Sequence, residues 1–367
     1  MSSKGAPHLK IDPFRLERWL LEKAEIDLGG GGVAKLQLKE VIPQMPTDTS
    51  MMYGRTCGSE ALRAHVAEWY RVEPENVLIT SGTSEANLII NLALLEQGDE
   101  YFTEVPQYEQ TTGVARMLGA KIKPFHLVED KGWAPDLKEL KEKINRHTKL
   151  IFLNTPNNPT GAIMTQEEMQ ALCEIAEHVG AYVHCDNALR GSETDGKPAA
   201  TPEFYERGVI TGSISKLGAT SPRIGWIVAE KEIIERCWVM KDYTTLSHCG
   251  IGEMIAERLL TNRARYIKRN QMIKQANLDT WNAWCEENPD LVTCANPKGG
   301  FTVFPRYKNR LGSSKFSERL LKEEGVMVSP GDQFGVERHL RINIGMKGET
   351  LSQGLSRIGR FMRRTLK

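Results

Sequence analysis

The pattern that most constrains this chain is a series of short apolar runs that alternate with helical stretches between Asn76 and Glu230. The runs are VLIT (77–80), KLIFLN (149–154), AYVHCD (181–186), GVITGS (208–213) and RIGWIVAE (223–230). Helical patterns lie between several of them, for example at 85–95 and 166–178. This alternation predicts a mostly parallel sheet covered by helices, and runs that are apolar throughout predict strands buried on both faces. The fold class that we expect is therefore α/β.

The alternation of apolar runs with helical stretches does not continue towards either end of the chain, which predicts a second, smaller domain. A long helical stretch at about 250–286 is followed by short strand-like segments, a mix typical of an α+β domain. The 367 residues are enough for one large domain and a smaller one. We expect residues 1–45 to join the small domain and residues 46–245 to form the large domain. Residues 246–367 would then form a linking helix and the rest of the small domain.

Composition excludes several classes of partner. The formal net charge is +1, which gives no electrostatic signature of nucleic-acid binding. No run approaches the roughly 18 apolar residues of a membrane span, and the first residues lack the apolar core of a secretory signal. The seven cysteines form no CxxC pair, so we expect reduced thiols, a cytoplasmic location and no bound metal.

Polar residues at or near the ends of the apolar runs are the candidates for a ligand site, because ligands bind at the carboxyl ends of strands in open α/β sheets. These features are the turn Ser81–Ser84, the loop Asn154–Gly161, Asp186, the segment Ser213–Lys216 and Arg223. Taken singly, each has an ordinary structural explanation as a helix cap, a turn, a satisfied carboxylate or a surface cation. Taken together, they supply the groups that a single ligand would need.

Two of these features suit an anion. Residues Gly82, Thr83 and Ser84 precede a helical run, where free backbone N–H groups and the helix dipole attract negative charge. Arg223 follows Lys216 by seven positions and can pair with a phosphate. We therefore expect a phosphate group to bind at this end of the sheet.

The other features suit an aldehyde on a pyridine ring. Asp186 and Lys216 both close buried runs, where a charge is costly unless it has a partner. Desolvation would lower the pKa of Lys216 and make it a better amine nucleophile. Asn158 lies in a loop stiffened by two prolines and can donate from its amide. A phosphorylated aldehyde cofactor would use all of these residues, with Asp186 keeping the ring nitrogen protonated.

The motifs that carry these residues resemble those of a known family. They are YGRTCGSEALR (53–63), SGTSEAN (81–87), PQY (106–108), NNPTG (157–161), Asp186, SISK (213–216), RIGW (223–226) and LRINIG (340–345). In this order they resemble the class I/II aminotransferases, fold type I enzymes that depend on pyridoxal 5'-phosphate (PLP). The resemblance implies a large domain with a mostly parallel seven-stranded sheet, a smaller α+β domain, and PLP as the cofactor.

Four further segments resemble, more narrowly, the branch of this family that contains capreomycidine synthase. They are ERWLLEKAEIDLGGGGVA (17–34), KDYTTLS (241–247), PKGGFTVFPR (297–306) and SPGDQFG (329–335). General aminotransferases share parts of these segments, so the family resemblance is the more specific of the two.

The family resemblance implies roles for the residues around the cofactor. Those expected at the phosphate are Gly82, Thr83, Ser84, Ser213, Ser215 and Arg223. Tyr108 would stack on the pyridine ring, Asn158 would bond the ring's 3-oxygen, and Asp186 would pair with the ring nitrogen. Tyr53 would reach the phosphate of a neighbouring subunit, which implies a homodimer with shared active sites.

The resemblance also implies how an amino-acid substrate is handled. Lys216 would form a Schiff base with PLP and then act as the acid and base on Cα. Arg341 would clamp the substrate α-carboxylate with its planar fork, with Asn158 and Gly31 beside the substrate.

One departure from the family concerns the cofactor. The position three residues after Asp186 is usually a tyrosine that donates to the ring's 3-oxygen, and here it is Leu189. The loop 217–222 is also one residue shorter than is usual. Both changes affect the cofactor site and leave the scaffold intact, so they bear on the type of reaction.

Three functions follow from these observations. The first is transamination of an L-amino acid, which the family favours slightly. The second is elimination and ring closure on a hydroxyarginine-like amino acid, which Leu189 and the narrower resemblance favour. The third is a non-catalytic binding protein, against which the retention of Lys216, Asp186, Asn158 and Arg341 argues.

Overall fold

The structure is a computed structural model that describes residues 11–49 and 51–365. The helices of the described part are α1 (Arg15–Trp19), α2 (Leu38–Val41), α3 (Glu60–Tyr70), α4 (Gly82–Leu94), α5 (Gln110–Met117), α6 (Leu137–Lys143), α7 (Gln166–Val179), α8 (Lys231–Lys241), α9 (Gly250–Thr261), α10 (Arg263–Glu287), α11 (Ser313–Glu324) and α12 (Gly348–Thr365). The strands are β1 (Ile26–Asp27), β2 (Val77–Thr80), β3 (Glu100–Val105), β4 (Lys121–Val128), β5 (Ala134–Pro135), β6 (Thr148–Asn154), β7 (Tyr182–Asp186), β8 (Gly208–Ser213), β9 (Gly225–Ala229), β10 (Val292–Thr293), β11 (Thr302–Val303), β12 (Arg306–Tyr307), β13 (Val326–Met327), β14 (Ser329–Pro330) and β15 (Leu340–Asn343).

The large domain is built on one sheet with the strand order β2-β9-β8-β7-β6-β3-β4-β5. The five strands from β8 to β4 are parallel, while β9 runs antiparallel to both of its neighbours. The expected α/β fold and its mostly parallel sheet are therefore confirmed. Seven strands form the body of the sheet, and β5 adds a two-residue eighth strand at the edge, antiparallel to β4.

Both faces of this sheet are buried, as the continuous apolar runs predict. Strand β6 shows it most directly, because alternate side chains along a strand point to opposite faces. Leu150 and Phe152 pack into the core that contains helix α4, whereas Ile151 and Leu153 pack into the core that contains helix α7. The two helical layers hold the strands so that their carboxyl ends meet along one edge.

The small domain has its own core of helices and short strands. Strand β15 pairs antiparallel with β11 on one side and with β14 on the other. Helices α10, α11 and α12 supply apolar side chains to the same core. The helical stretch predicted at about 250–286 is two helices, because the helical backbone is interrupted at Asn262. The side-chain Nδ2 of Asn262 donates to the Arg258 carbonyl at 2.9 Å.

The described part of the N-terminal segment contacts both domains. Strand β1 pairs in parallel with β13, and Leu28 is fully buried in the core of the small domain. Further along, Val41 and Ile42 pack with apolar residues of α3 and α9 against the large sheet. The segment thus crosses from one domain to the other. We propose that residues 11–33 belong with the small domain. The predicted boundary at residue 45 stays a prediction, since Val41 and Ile42 pack against the large sheet.

No helix in residues 11–49 and 51–365 is long and apolar enough to span a lipid bilayer. Among the same residues, no group of three or more histidine, cysteine, aspartate or glutamate side chains is arranged to hold a metal ion.

Candidate active site

A cavity of about 190 Å³ opens at the carboxyl ends of β6, β7 and β8, beside the N-terminal segment and β15. Its walls are Glu17, Leu20, Gly31, Thr83, Ser84, Tyr108, Gln110, Asn154, Asn158, Asp186, Ala188, Leu189, Ser213, Ser215, Lys216, Arg223 and Arg341. A larger hollow of about 420 Å³ beside Arg190 and Arg263 contains none of these residues. The location at strand ends and the convergence of charged groups make the smaller cavity the candidate active site.

One end of the cavity is built to receive an anion. Helix α4 begins at Gly82, whose φ of +79° favours glycine, and an added Cβ there would lie 2.4 Å from Arg223 Nη2 and displace the guanidinium. The next residue, Thr83, has a buried hydroxyl with no hydrogen-bond partner in the described part of the chain. A helix N-terminus, an unsatisfied hydroxyl and a guanidinium together fit a phosphate group.

Three serines contribute to this end of the cavity. Ser84, Ser213 and Ser215 all line it, and the Ser215 N–H donates to Ser213 Oγ at 3.3 Å. Tyr53, by contrast, is 88% exposed and does not line the cavity. Its predicted contact with the phosphate of a neighbouring subunit stays a prediction.

Asp186 is a buried carboxylate at the end of β7. Its Oδ2 accepts from Asn87 Nδ2 at 3.1 Å, and its Oδ1 accepts from the Ala188 N–H at 2.9 Å. The Asn87 amide is fixed in this orientation because its Oδ1 accepts from Thr211 Oγ1 at 3.1 Å. Burial nevertheless raises the pKa of Asp186 above its ordinary value. A protonated ring nitrogen is the kind of partner that would stabilise its charged form.

Lys216 lies in a short turn after β8, and its amine enters the cavity. The Nζ atom donates to the Gly31 carbonyl at 2.9 Å. Burial lowers the pKa of Lys216 to about 8, and the charge of Arg341 acts in the same direction, while the carboxylates of Asp186 and Glu17 oppose this shift. The neutral amine that a nucleophile or base requires is therefore reached much closer to neutral pH than in an exposed lysine.

Arg341 is buried on β15 and held in one orientation. Its Nη2 donates to the Gly29 carbonyl at 2.6 Å and to Ser329 Oγ at 3.2 Å, while Nη1 donates to Asn158 Oδ1 at 3.1 Å. The Nε atom is buried and has no partner in the described part of the chain. Burial lowers the pKa of Arg341 to about 10, so the guanidinium stays charged at neutral pH. Such a fixed cation suits a carboxylate.

Asn158 is positioned by a chain of backbone and amide contacts. Its N–H donates to Asn154 Oδ1 at 2.6 Å, and Asn154 Nδ2 donates to the Asp186 carbonyl at 2.6 Å. Because Asn158 Oδ1 accepts from Arg341, the Nδ2 end of the amide remains as a donor towards the cavity. The structure therefore brings Asn158, Asp186 and Arg341 together, as the sequence predicts.

Tyr108 forms a wall of the cavity and contacts the N-terminal segment. Its hydroxyl donates to Glu17 Oε1 at 2.6 Å, and its ring packs on Phe14 with centroids 4.9 Å apart. Burial, together with the charge of Glu17, raises the pKa of the Tyr108 hydroxyl. Gly31 lies opposite, where an added Cβ would be 3.4 Å from Arg341 Nη1.

The departure at Leu189 is visible in the cavity wall. Leu189 is 6% exposed and packs with Val33 and Phe301. It supplies an apolar contact where the family usually supplies a hydroxyl. The nearby Tyr70 does not replace that donor, since its hydroxyl donates to Asn187 Oδ1 at 3.0 Å and Tyr70 is not part of the wall.

Several wall or supporting residues were not predicted from the sequence. Asn87 belongs to the quoted motif SGTSEAN, yet only the structure shows that it binds Asp186. Glu17 lies on the polar side of a helical pattern, where a carboxylate is indistinguishable from a solvated surface group. Gln110 and Leu20 likewise carry no sequence signal that separates them from ordinary helix residues.

Comparison with known proteins gives a consistent result. The family model described as aminotransferase class I and II matches residues 24–358. Capreomycidine synthase from Streptomyces vinaceus is 30% identical over 96% of this chain and 95% of its own length. The crystal structure of a PLP-dependent aminotransferase from Streptococcus suis superposes with a TM-score of 0.92 at 32% identity, covering 98% of this chain and 99% of that one. The PLP-dependent cyclase OrfR superposes with a TM-score of 0.89 at 26% identity, covering 99% of this chain and 100% of that one.

The residues of the cavity fit the cofactor that this family uses. Thr83 offers a buried hydroxyl without a partner, Gly82 and Arg223 form a cradle for a phosphate, and Asp186 and Lys216 suit the ring nitrogen and the aldehyde. The family match, which covers most of the chain, and this fit lead to one conclusion. The chain belongs to the class I and II aminotransferase family, and its cofactor is pyridoxal 5'-phosphate.

Proposed function

We propose that this enzyme removes the Cα proton of an L-amino acid and that Lys216 is the base. The observation that carries the proposal is the position of Lys216, whose amine shares one cavity with Asp186 and Arg341 and whose pKa burial lowers to about 8. When bound, PLP supplies an electron sink for the electron pair that loss of the proton leaves on the substrate's Cα. The protein supplies the charges that position the reactants and move the proton.

Arg341 binds the substrate through its α-carboxylate in this proposal. The guanidinium already donates to Gly29, Ser329 and Asn158, so its orientation costs little to fix when the carboxylate arrives. Lys216 then gives up its contact with the Gly31 carbonyl and accepts the Cα proton as a neutral amine. The same amine can return that proton in a later step.

Three groups of side chains would hold the cofactor. The phosphate would lie against the α4 N-terminus with Thr83 and Arg223, where the structure provides free donors. Asp186, fixed by Asn87, would face the ring nitrogen. Tyr108 would cover a ring face while its hydroxyl stays on Glu17.

Amino-group transfer is the first candidate for the overall reaction, with the amino acid leaving as a keto acid. It is supported by the family match and by the similarity to the Streptococcus suis protein, which is named as an aminotransferase.

Elimination followed by ring closure on a substituted amino acid is the second candidate. Two observations favour it: the apolar Leu189 replaces a hydroxyl beside the cofactor, and relatives include capreomycidine synthase and the cyclase OrfR. Loss of that hydrogen bond would alter the proton affinity of the cofactor, and with it the fate of the deprotonated substrate.

The test is to follow loss of the Cα proton by NMR in D₂O with a panel of L-amino acids. We expect exchange with the wild-type holoenzyme and none with Lys216→Met. Lys274→Met is the matched control, because burial also lowers the pKa of Lys274 to about 8, yet that lysine does not line the cavity. Absence of exchange with every amino acid would leave only a non-catalytic binding protein.

Product analysis separates the two candidate reactions. With an amino acid and no added keto acid, transfer predicts one keto acid per active site and conversion of the cofactor to its amine form. Elimination with ring closure predicts many turnovers of a cyclised or dehydrated product, with PLP unchanged.

We further propose that the chain acts as a homodimer. Met51 and Tyr53 are 85% and 88% exposed, and they line one surface hollow with residues 247–251. Exposed apolar groups of this kind are typical of an interface. Sedimentation equilibrium of the wild type tests it, with a dimer mass expected at micromolar concentration.

A further inference from the structure

One carboxylate in the wall of the active site has no part in the proposed chemistry. Of the charged residues that line the cavity, Asp186, Lys216 and Arg223 serve the cofactor, and Arg341 serves the substrate α-carboxylate. Glu17 is the charge that remains. Because the cofactor and the α-carboxylate already occupy the other charges, the group left to meet Glu17 is the substrate side chain.

Glu17 is held over the cavity by contacts with both domains. Its helix α1 is anchored by the buried Leu16, and Trp19 Nε1 donates to the Val328 carbonyl of the small domain at 2.8 Å. From the large domain, the Tyr108 hydroxyl donates to Glu17 Oε1 at 2.6 Å. The carboxylate therefore lies where the domains meet at the mouth of the cavity.

The second oxygen of this carboxylate is available for a ligand. The bond from Tyr108 uses Oε1, and within residues 11–49 and 51–365 Glu17 has no other hydrogen bond or ion pair. The contact with Tyr108 restricts the rotamers of Glu17, so this side chain loses less conformational entropy when a ligand binds it. Glu17 is exposed at present, and a substrate that fills the cavity would cover it and strengthen any ionic contact.

We propose that Glu17 selects amino acids whose side chain ends in a cationic group, such as an amine or a guanidine. This inference rests on the proposed function, because it needs Arg341 to hold the α-carboxylate. A cationic side chain gains a charge-assisted hydrogen bond to Glu17. A side-chain carboxylate, as in aspartate or glutamate, would meet a like charge and be rejected.

The test compares L-arginine with L-citrulline, which have nearly the same shape and differ in side-chain charge. Both amino acids compete in one D₂O sample of holoenzyme, and the ratio of their Cα exchange rates is read by NMR. Their dissociation constants are measured separately by calorimetry in the PLP-loaded Lys216→Met background, in which exchange is stopped. We expect wild type to prefer arginine by at least about fivefold in both measurements.

Three variants separate the charge of Glu17 from its bulk and from general surface charge. Glu17→Gln keeps the size of the side chain and should bring the arginine-to-citrulline ratio close to one, through weaker arginine binding. Glu17→Asp retains the charge and should keep arginine preferred. Glu22→Gln makes the same chemical change on an exposed neighbour outside the cavity wall and should keep the wild-type ratio.

The outcomes distinguish the role of Glu17 from the proposed removal of the Cα proton by Lys216. A ratio that Glu17→Gln leaves unchanged, while exchange continues, overturns the role of Glu17 and leaves the proposed function standing. Absence of exchange with every amino acid, together with a calorimetric preference for arginine that Glu17→Gln removes, overturns the proposed reaction and supports Glu17 as the side-chain site. A wild type that prefers citrulline or glutamate overturns the inference directly.

Discussion

At the scale of single residues, the active site is built from charges that the fold makes costly. Burial raises the pKa of Asp186 and lowers the pKa of Lys216, so both shifts disfavour the charged form. Sites with opposed shifts of this kind are common where protons are moved. The same burial implies that removing either charge should stabilise the cofactor-free protein while abolishing its chemistry.

Lys216→Met should stabilise the cofactor-free protein at pH 7 by about 2 kcal/mol, because it removes a buried ammonium. The folded-state pKa of about 8 lies below the ordinary 10.5, so the unfolded chain binds more protons between these values. Lys216 therefore costs stability below pH 8, and the cost fades as pH rises towards 10.5. Urea unfolding of both proteins from pH 7 to pH 10 measures it, and a difference that does not shrink with pH would contradict the assignment.

The hydroxyl of Thr83 should bind cofactor and contribute nothing to folding. Thr83→Val removes a buried hydroxyl that has no partner, so the unfolding free energy of cofactor-free protein should stay the same or rise. PLP affinity should fall by about tenfold with loss of one charge-assisted hydrogen bond. Thr83→Ser retains the donor and is the control. Equal PLP binding by all three proteins would show that Thr83 does not contact the phosphate.

Asp186 and Lys216 were predictable from sequence only in combination, because an anion-binding turn, a stiffened asparagine, a carboxylate, a lysine and an arginine follow successive apolar runs. Taken singly, each has an ordinary structural explanation. Glu17 was not predictable, since the polar side of an amphipathic helix normally faces water and no local pattern shows that Tyr108 lies against it. Tyr53 lies in a family motif, but its predicted contact with a neighbouring subunit cannot be seen within a single chain, where its side chain is exposed.

At the scale of elements, the anion site depends on how closely β9 approaches the start of α4. An added Cβ at Gly225 of β9 would lie 2.5 Å from the Gly82 carbonyl carbon and 2.7 Å from the Thr83 nitrogen. No side chain fits between these two backbones, so β9 can lie directly against the helix N-terminus. Gly225 of RIGW and Gly82 of SGTSEAN are therefore both part of the same close approach between β9 and α4.

Gly82→Ala should weaken PLP binding beyond what its effect on folding explains. The substitution strains a backbone with φ of +79° and drives a methyl group into Arg223. Gly98→Ala is the matched control, because Gly98 has φ of +95° but open space around its Cα. Both variants should lose about 1 kcal/mol of stability or more. Only Gly82→Ala should lose PLP affinity, measured by fluorescence titration, and equal losses would contradict the cradle.

The strands that sequence reasoning did not single out lie towards the sheet edge. In β4, Lys121 and Lys123 are not buried, and only Phe125 and Leu127 are. A strand with one solvated part lacks the continuous apolar run that marks β2, β6, β7, β8 and β9. Burial along the whole strand, rather than position in the sheet, thus decides which strands can be recognised, since the edge strand β2 is buried throughout and was recognised.

At the scale of the whole molecule, Ile26 and Leu28 of the N-terminal segment pack in the core of the small domain. Its two-residue strand β1 pairs with β13 some three hundred positions later in the chain. Pairing between such short and distant strands leaves no periodic signal, so the sequence predicts that the segment joins the small domain but does not predict this pairing. The predicted division into domains, in contrast, rests on a visible change in sequence pattern. A long helical stretch and short strand-like segments follow the apolar runs of the large sheet.

Leu28→Ala should destabilise the protein by about 3 kcal/mol, the cost of a large-to-small change in a packed core. Leu28 is fully buried among residues of the small domain, including Leu355 and Ile358. Leu21→Ala, at a side chain that is 82% exposed, should change stability little. Denaturant unfolding measures both. Similar values for the two variants would mean that the segment is peripheral to the core.

The contact between Glu17 and Tyr108 also bears on how such an enzyme could diversify. The cavity residues proposed to hold the cofactor lie within residues 82–223, whereas Glu17 and Gly31 come from a short stretch near the beginning of the chain. Preference for a new amino acid could then be inherited by exchanging that opening stretch between relatives, with the reactive lysine and its supports left untouched. Chimaeras of this kind offer a direct route to altered substrate preference with the same cofactor site and the same reactive lysine.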